Sequence, residues 1–240
     1  MDTLGDVSPR TQPDQHPPPV QWLRLRYARR GRARFTSHRD FSRAFERALR
    51  RAQVPMAYSS GFSPHPRISY ANAAPTGAAS DAEYLEIGLA EVRDPERVRA
   101  ALDEALPAGL DIVGAQLAPG DTLADLLTGS RWRIDVVGVP TVVAERAVAE
   151  FLSRDEVEVS RMTKSGQRTF DARGAVSQVR YEPGRLIATI AHQVPLVRPD
   201  DLLSALAAVE PEWRPTLPPL LTRLIQGTLD EVTGDIVPPL

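Results

Sequence analysis

The sequence predicts an α+β protein built of two tandem ferredoxin-like (split βαβ) subdomains, on three observations. Residues 20–118 carry strand-like and helix-like patterns in the order strand, helix, strand, strand, helix, strand. The same order returns over 131–230. Between them, residues 119–130 hold Pro119, Gly120 and Gly129 and read as a linker. The two halves share element order rather than sequence.

Each element has its own signal. Residues 1–19 end in HPPPV, lack periodic hydrophobics and read as a disordered or extended Pro-rich tail. QWLRLRYARRG then alternates Leu23, Leu25 and Tyr27 with Trp22, Arg24 and Arg26, the two-residue period of a strand. A helix follows over 38–53, with Ser37 and Asp40 in capping-box spacing and Phe41, Phe45, Ala48, Leu49 and Ala52 as its apolar stripe. Pro55 ends it. Strands are expected at 67–73 and 83–90, the second alternating Leu85, Ile87 and Leu89. A helix at 95–106 and a strand at 110–117 complete the first half.

In the second half RWRIDVVGV reads as a strand, 141–153 as a helix and 156–162 as a strand. RGAVSQVRY and RLIATIAHQ form a hairpin around Pro183-Gly184, followed by a helix at 199–208 and TRLIQGTLDE as a last strand. Residues 231–240 are expected to be a tail.

With 240 residues, 42% of them hydrophobic and 25% charged, the chain has the composition of a soluble globular protein. No stretch approaches the roughly 20 apolar residues of a membrane span, and no apolar signal segment opens the sequence, so the expected location is the cytoplasm. The absence of cysteine excludes disulfides, thiolate nucleophiles and cysteine-held zinc or iron–sulfur clusters. His16, His38, His65 and His192 show no metal-ligand spacing. Neither a metal nor a cofactor is expected.

The charge is segregated. Arginine outnumbers lysine 28 to 1, Lys164 being the sole lysine. Residues 20–53 hold eleven arginines against Asp40 and Glu46, a net of +9. Residues 81–126 hold eleven acidic residues against Arg93, Arg97 and Arg99, a net of −8. The overall charge of −2 hides this polarity, which suits a polyanion bound to one face.

Residues 24–51 therefore form the leading candidate site. Arginine forks match phosphate oxygens and release counter-ions from a nucleic-acid backbone, so RNA is the expected partner. Arg24, Arg26, Arg30, Arg34, Arg39, Arg43 and Arg47 are the expected phosphate contacts, with Tyr27 and Phe35 as stacking surfaces. The competing reading pairs these arginines with the acidic 81–126 segment, within the chain or across a dimer. FTSHRD enters the helix with Ser37 as its cap and His38 and Arg39 beside the free N–H groups, a candidate anion site.

SSGFSPHPRI adds a second wall. Gly61 permits a positive φ, Ser59, Ser60 and Ser63 supply hydroxyls, and the prolines bias Ser63 and His65 toward extended backbone. Ser60, Gly61, Phe62, Ser63, His65 and Arg67 are expected RNA or phosphate contacts, and the alternative is a rigid helix-to-strand connection with Phe62 plugging the core. Together 35–39 and 59–67 are expected to form a pocket for a phosphate or nucleotide end. An enzymatic alternative uses His38 and His65 as an acid–base pair for metal-independent RNA cleavage. GQRTFDARG offers Arg168 and Arg173, with Lys164 nearby, as a possible second anion contact.

The Arg-rich strand, FTSHRDFSRAFERALRRAQVPMAYSSGFSPHPRISYA and DAEYLEIGL together resemble the radical-SAM-linked domain of unknown function over roughly residues 20–225, with SGFSPHPRISYA the most specific block. The resemblance implies a companion to a separate radical SAM enzyme in tRNA or ribosomal RNA metabolism. Lacking cysteine, this chain is not itself the iron–sulfur component. Two ferredoxin-like halves with a histidine near the first helix are also similar in architecture to CRISPR repeat-processing endoribonucleases, the source of the enzymatic alternative. A protein-interaction adaptor with a basic docking face is the third possibility.

Overall fold

The computed structural model describes residues 15–163 and 166–240. The chain forms β1 (Gln21–Arg29), α1 (His38–Arg51), β2 (Ile68–Ala71), β3 (Ala79–Leu89), α2 (Pro95–Ala105), β4 (Leu110–Leu117) and α3 (Leu123–Leu126). It continues through β5 (Gly129–Asp135), α4 (Thr141–Ser153), β6 (Glu158–Thr163), β7 (Gly166–Asp171), β8 (Val176–Glu182) and β9 (Arg185–Ala191). It ends with α5 (Pro199–Val209), β10 (Leu220–Leu229) and β11 (Ile236–Val237).

Nine strands make one large, mostly antiparallel sheet in the order β4-β1-β3-β10-β5-β9-β8, with β2 on β3 and β11 on β10. The first half of the chain supplies one end of this sheet and the second half the other. Their junction is the one parallel pairing among the described residues, where only Thr222 with Ala79 and Arg223 with Ser80 are in register.

Periodicity placed the cores. Leu23, Leu25 and Tyr27 of β1 and Leu85, Ile87 and Leu89 of β3 face Phe41, Phe45, Ala48 and Leu49 of α1 and Val98 and Leu102 of α2. A separate second-half core holds Trp132, Ile134, Ala144, Ala147, Phe151, Leu202 and Leu206 from β5, α4 and α5. On the opposite face of the first-half sheet Ala82 and Tyr84 are covered by Leu123 and Leu127, with Leu240 packed against them. At the β8–β9 turn Gly184 adopts φ +80°, which the tight Pro183-Gly184 connection requires.

Three segments differ from the expectation. Residues 158–163 do not join the main sheet. They pair with 166–171 as a separate hairpin, and β8 occupies the edge of the main sheet. The second strand of that hairpin lies in GQRTFDARG, whose single inward apolar residue, Phe170, was too little pattern to announce it. The expected linker contains α3 and the start of β5. The expected tail at 231–240 contains β11, and its Pro239 carbonyl accepts from Gln116 at 2.8 Å. Of the amino-terminal tail, residues 1–14 lie outside the described residues, while the His16 N–H donates to the Ser60 hydroxyl at 3.0 Å.

Candidate nucleic-acid interface

The eleven arginines of 20–53 divide by element. Strand alternation sends Arg24 away from the helices, but into a covered space: it is 1% exposed. Its guanidinium donates to Glu86 Oε1 at 2.9 Å and to the Asp121 carbonyl at 2.8 Å. Arg26 donates to the Asp81 carbonyl at 2.9 Å. Arg30 is exposed yet bridges Asp81 at 2.7 Å and Asp111 at 3.3 Å. The acidic 81–126 segment thus neutralises part of the basic run, as the competing reading expected, and Arg24 is corrected from phosphate contact to buried structural residue. Tyr27 is corrected too. It is 5% exposed and stacks on Phe41 at 4.4 Å, so no base reaches it.

The helix is different. Arg39, Arg43, Arg47 and Arg50 are exposed along α1, and among the described residues none forms an ion pair. Their side chains project from the face opposite Phe41 and Phe45, with a rise of about 6 Å per four residues. The preceding 3₁₀ turn, Gly31–Phe35, exposes Arg32 and Phe35 and lays the Arg34 guanidinium 4.6 Å over the Phe35 ring.

The amino terminus of α1 is already served. Ser37 accepts from the Asp40 N–H at 3.2 Å and donates to the Asp40 carboxylate at 2.6 Å. That carboxylate sits where the helix dipole would attract an anion, so the end does not present an open anion site. His38 is exposed, and its ring meets the edge of Tyr70 at 4.9 Å.

The 59–67 loop closes on itself rather than on this helix end. The Ser59 N–H donates to the His65 carbonyl at 2.9 Å, and the His65 N–H donates to the Ser59 hydroxyl at 3.0 Å. Arg67 donates to the Tyr58 carbonyl at 3.3 Å. Gly61 takes φ +119°, as its position in the turn suggested, while Phe62 is 66% exposed and does not plug the core. Ser60, Ser63 and His65 face solvent. Among the described residues no hydrogen bond or ion pair joins 35–39 to 59–67. A Cβ at Gly61 meets no atom within 4 Å, so Gly61→Ala carries backbone strain alone, about 1–3 kcal/mol. Chemical denaturation of the variant measures it.

In the second half, Arg173 donates to the Val176 carbonyl at 3.0 Å and lies over Phe151, which consumes it structurally. Arg168 is exposed on β7, and Lys164 lies outside the described residues.

Sequence reasoning passed over a buried polar seam. Glu83 (1% exposed) and Arg223 (4%) pair at 3.0 Å between β3 and β10. Arg223 also donates to the Asn72 carbonyl at 2.7 Å and lies 4.8 Å over Trp132. Glu83 accepts the Ala74 N–H at 3.0 Å, while Arg29 donates to the Ala74, Pro75 and Ala78 carbonyls. Burial pulls the Arg223 guanidinium below its ordinary range, and Glu83 opposes that pull. A signal was present: Glu83 shares its phase with Leu85 and Ile87, so a carboxylate stood on the core-facing side of the strand.

His192 is the other overlooked residue. Its Nδ1 lies 2.6 Å from the Leu127 carbonyl and donates to it, leaving Nε2 to accept from the Ser130 hydroxyl at 3.0 Å. Ser130 in turn accepts from the Trp132 indole at 2.7 Å. Burial lowers the His192 pKa from 6.5 to about 4. The unfolded chain therefore binds the extra proton first as pH falls, and stability declines between pH 6.5 and 4, by about 3 kcal/mol from this residue. Denaturant titrations across that range should show the decline, and His192→Gln should flatten this share of it.

Residues 22–199 match the model of a family described as uncharacterized protein conserved in bacteria (DUF2344). No curated protein matches the chain. Among solved structures, an unknown protein from Galdieria sulphuraria is 16% identical, covering 85% of this chain and 98% of its own, with a TM-score of 0.25. At that score it carries no argument.

Proposed function

The chain belongs to this DUF2344 family of bacterial proteins, and we propose that it is a non-catalytic RNA-binding accessory protein of the cytoplasm that grips the RNA backbone with α1. One observation carries the reading. Arg39, Arg43, Arg47 and Arg50 stand exposed without an ion pair among the described residues, whereas Arg24 and Arg30 of the same basic run are matched by Glu86, Asp81 and Asp111. Acidic partners take up Arg24 and Arg30, backbone carbonyls take up Arg26 and Arg29, and the helical arginines are left to meet a polyanion. Phe35, under the Arg34 guanidinium, supplies an aromatic surface beside the stripe.

We read the strand orders β4-β1-β3-β2 and β10-β5-β9-β8 as two ferredoxin-like units joined edge to edge. The enzyme served is a separate radical SAM protein acting on tRNA or ribosomal RNA, an assignment supported by the sequence resemblance centred on SGFSPHPRISYA.

The test is fluorescence anisotropy of labelled RNA with the full chain at low and raised salt. Affinity that falls steeply with salt is expected. Absence of RNA affinity at low salt, with capture of an acidic protein domain instead, would replace this reading by the adaptor. RNA cleavage that disappears in His38→Ala would replace it by the ribonuclease.

A further inference from the structure

We propose that the cavity on the face of the first-half sheet opposite α1 and α2 is a nucleobase site, with Trp22 as its stacking wall and the Glu86 carboxylate reading the N–H donors of the base. The cavity has a volume of about 470 Å³ and lies between β1, the β2–β3 pair and the 118–124 segment. That volume is in the range of small-molecule sites.

Its walls follow from strand register. Ile68 and Tyr70 of β2 lie opposite Ile87 and Leu85 and pack toward α1 and α2. The intervening Ser69 and its partner Glu86 therefore face the other way, into the cavity. Trp22 projects to the same side from β1 and is 37% exposed, whereas Trp132 and Trp213 are each 3% exposed. A third-exposed indole beside a concave surface offers the flat apolar face on which unstacked bases sit.

Glu86 supplies the polar edge. Its Oε1 is fixed by the buried Arg24 at 2.9 Å, which sets the plane of the carboxylate. Among the described residues its second oxygen takes no hydrogen bond from the protein, and the side chain is 14% exposed. An ionised carboxylate only accepts, so its complement is a group that donates. Asp121 adds a further acid to the lining, and the one guanidinium behind the wall is already matched by Glu86. Phosphates and organic acids are therefore disfavoured, and a neutral ring with N–H donors is favoured. Guanine fits best, because its N1–H and N2 amine are adjacent donors. Uracil fits worst, because its N3–H is flanked by two carbonyl oxygens that the carboxylate repels.

This site does not depend on RNA docking at α1, which packs against the other face of the sheet. The experiment is titration of the full chain with guanosine and with uridine, followed by tryptophan quenching and by calorimetry. Because Trp22 is the exposed tryptophan, saturable quenching reports on this cavity. Guanosine should bind at least about tenfold more tightly than uridine. Trp22→Ala should weaken guanosine at least about fivefold, the lower end of base–aromatic stacking. Glu86→Gln should erase the preference over uridine. Its melting curve is recorded because Glu86 also partners Arg24, and if it unfolds, the Trp22→Ala arm decides. No saturable binding of guanosine at millimolar concentration, equal affinity in Trp22→Ala, or binding of spermidine in place of nucleosides would overturn the proposal. The variant with Arg39, Arg43 and Arg47 reversed to Glu should keep guanosine binding, which separates this site from RNA docking on the helix.

Discussion

Glu83→Ala should destabilise the protein by about 3–5 kcal/mol, the largest loss expected of any single side chain in the seam. Truncation leaves Arg223 buried, 4% exposed, with its carboxylate partner gone, and removes the acceptor of the Ala74 N–H. The location amplifies the effect. The two halves of the sheet meet through only two registered pairs between β3 and β10, so the ion pair and the Gln226 amide on the Ala82 carbonyl carry much of the junction. Loss of the pair should therefore also broaden the unfolding transition, as the two cores come apart before each melts. Replacing both partners, Glu83→Leu with Arg223→Met, should recover most of the loss, because an apolar pair leaves no buried charge unmatched. Urea unfolding of the two singles and the double completes the cycle. A loss below about 1 kcal/mol for Glu83→Ala would mean that water reaches the seam.

Joint reversal of Arg39, Arg43 and Arg47 to Glu should lower RNA affinity on the order of 100-fold or more at low salt. The slope of log affinity against log salt should flatten by about 2–3, since each lost phosphate contact removes about 0.7–0.9. Unfolding does not explain such a loss in advance. The three residues are exposed, and Arg39 stands in the first turn of α1, where the helix dipole favours an acid over a cation. Arg168→Glu, in the second half, serves as the comparison and should leave affinity within about twofold. Equal losses in both would make the attraction a matter of overall charge rather than of α1.

Much of this protein was legible because local physics acts over short spans. The Phe41–Leu49 stripe, the Ser37 cap and Pro55 fixed α1. Alternation in Leu23–Tyr27 and Leu85–Leu89 fixed β1 and β3, and a two-residue Pro-Gly turn fixed the β8–β9 hairpin. The arginine stripe was equally visible, since helical spacing alone puts residues 39, 43, 47 and 50 on one side of α1.

What the stripe shared with its neighbours was charge, and charge in a sequence says nothing about partners distant along the chain. Arg24 and Arg39 look alike as letters. Only the pairing of β1 with β3 puts Glu86 across from Arg24, while among the described residues no acid is paired with Arg39 on the open side of α1. His38 and His65 likewise look alike as letters, and the fold sets His38 against the Tyr70 ring while the His65 N–H is held by the Ser59 hydroxyl. The sequence alone determined the strongly periodic elements, β1, α1, β3 and the β8–β9 hairpin, and the arginine face of α1, whereas α3, β7 and β11 carry too little pattern to be read. The tertiary structure decided which of those charges are spent inside the protein and which remain for a ligand, because neutralisation depends on contacts across strands rather than along them.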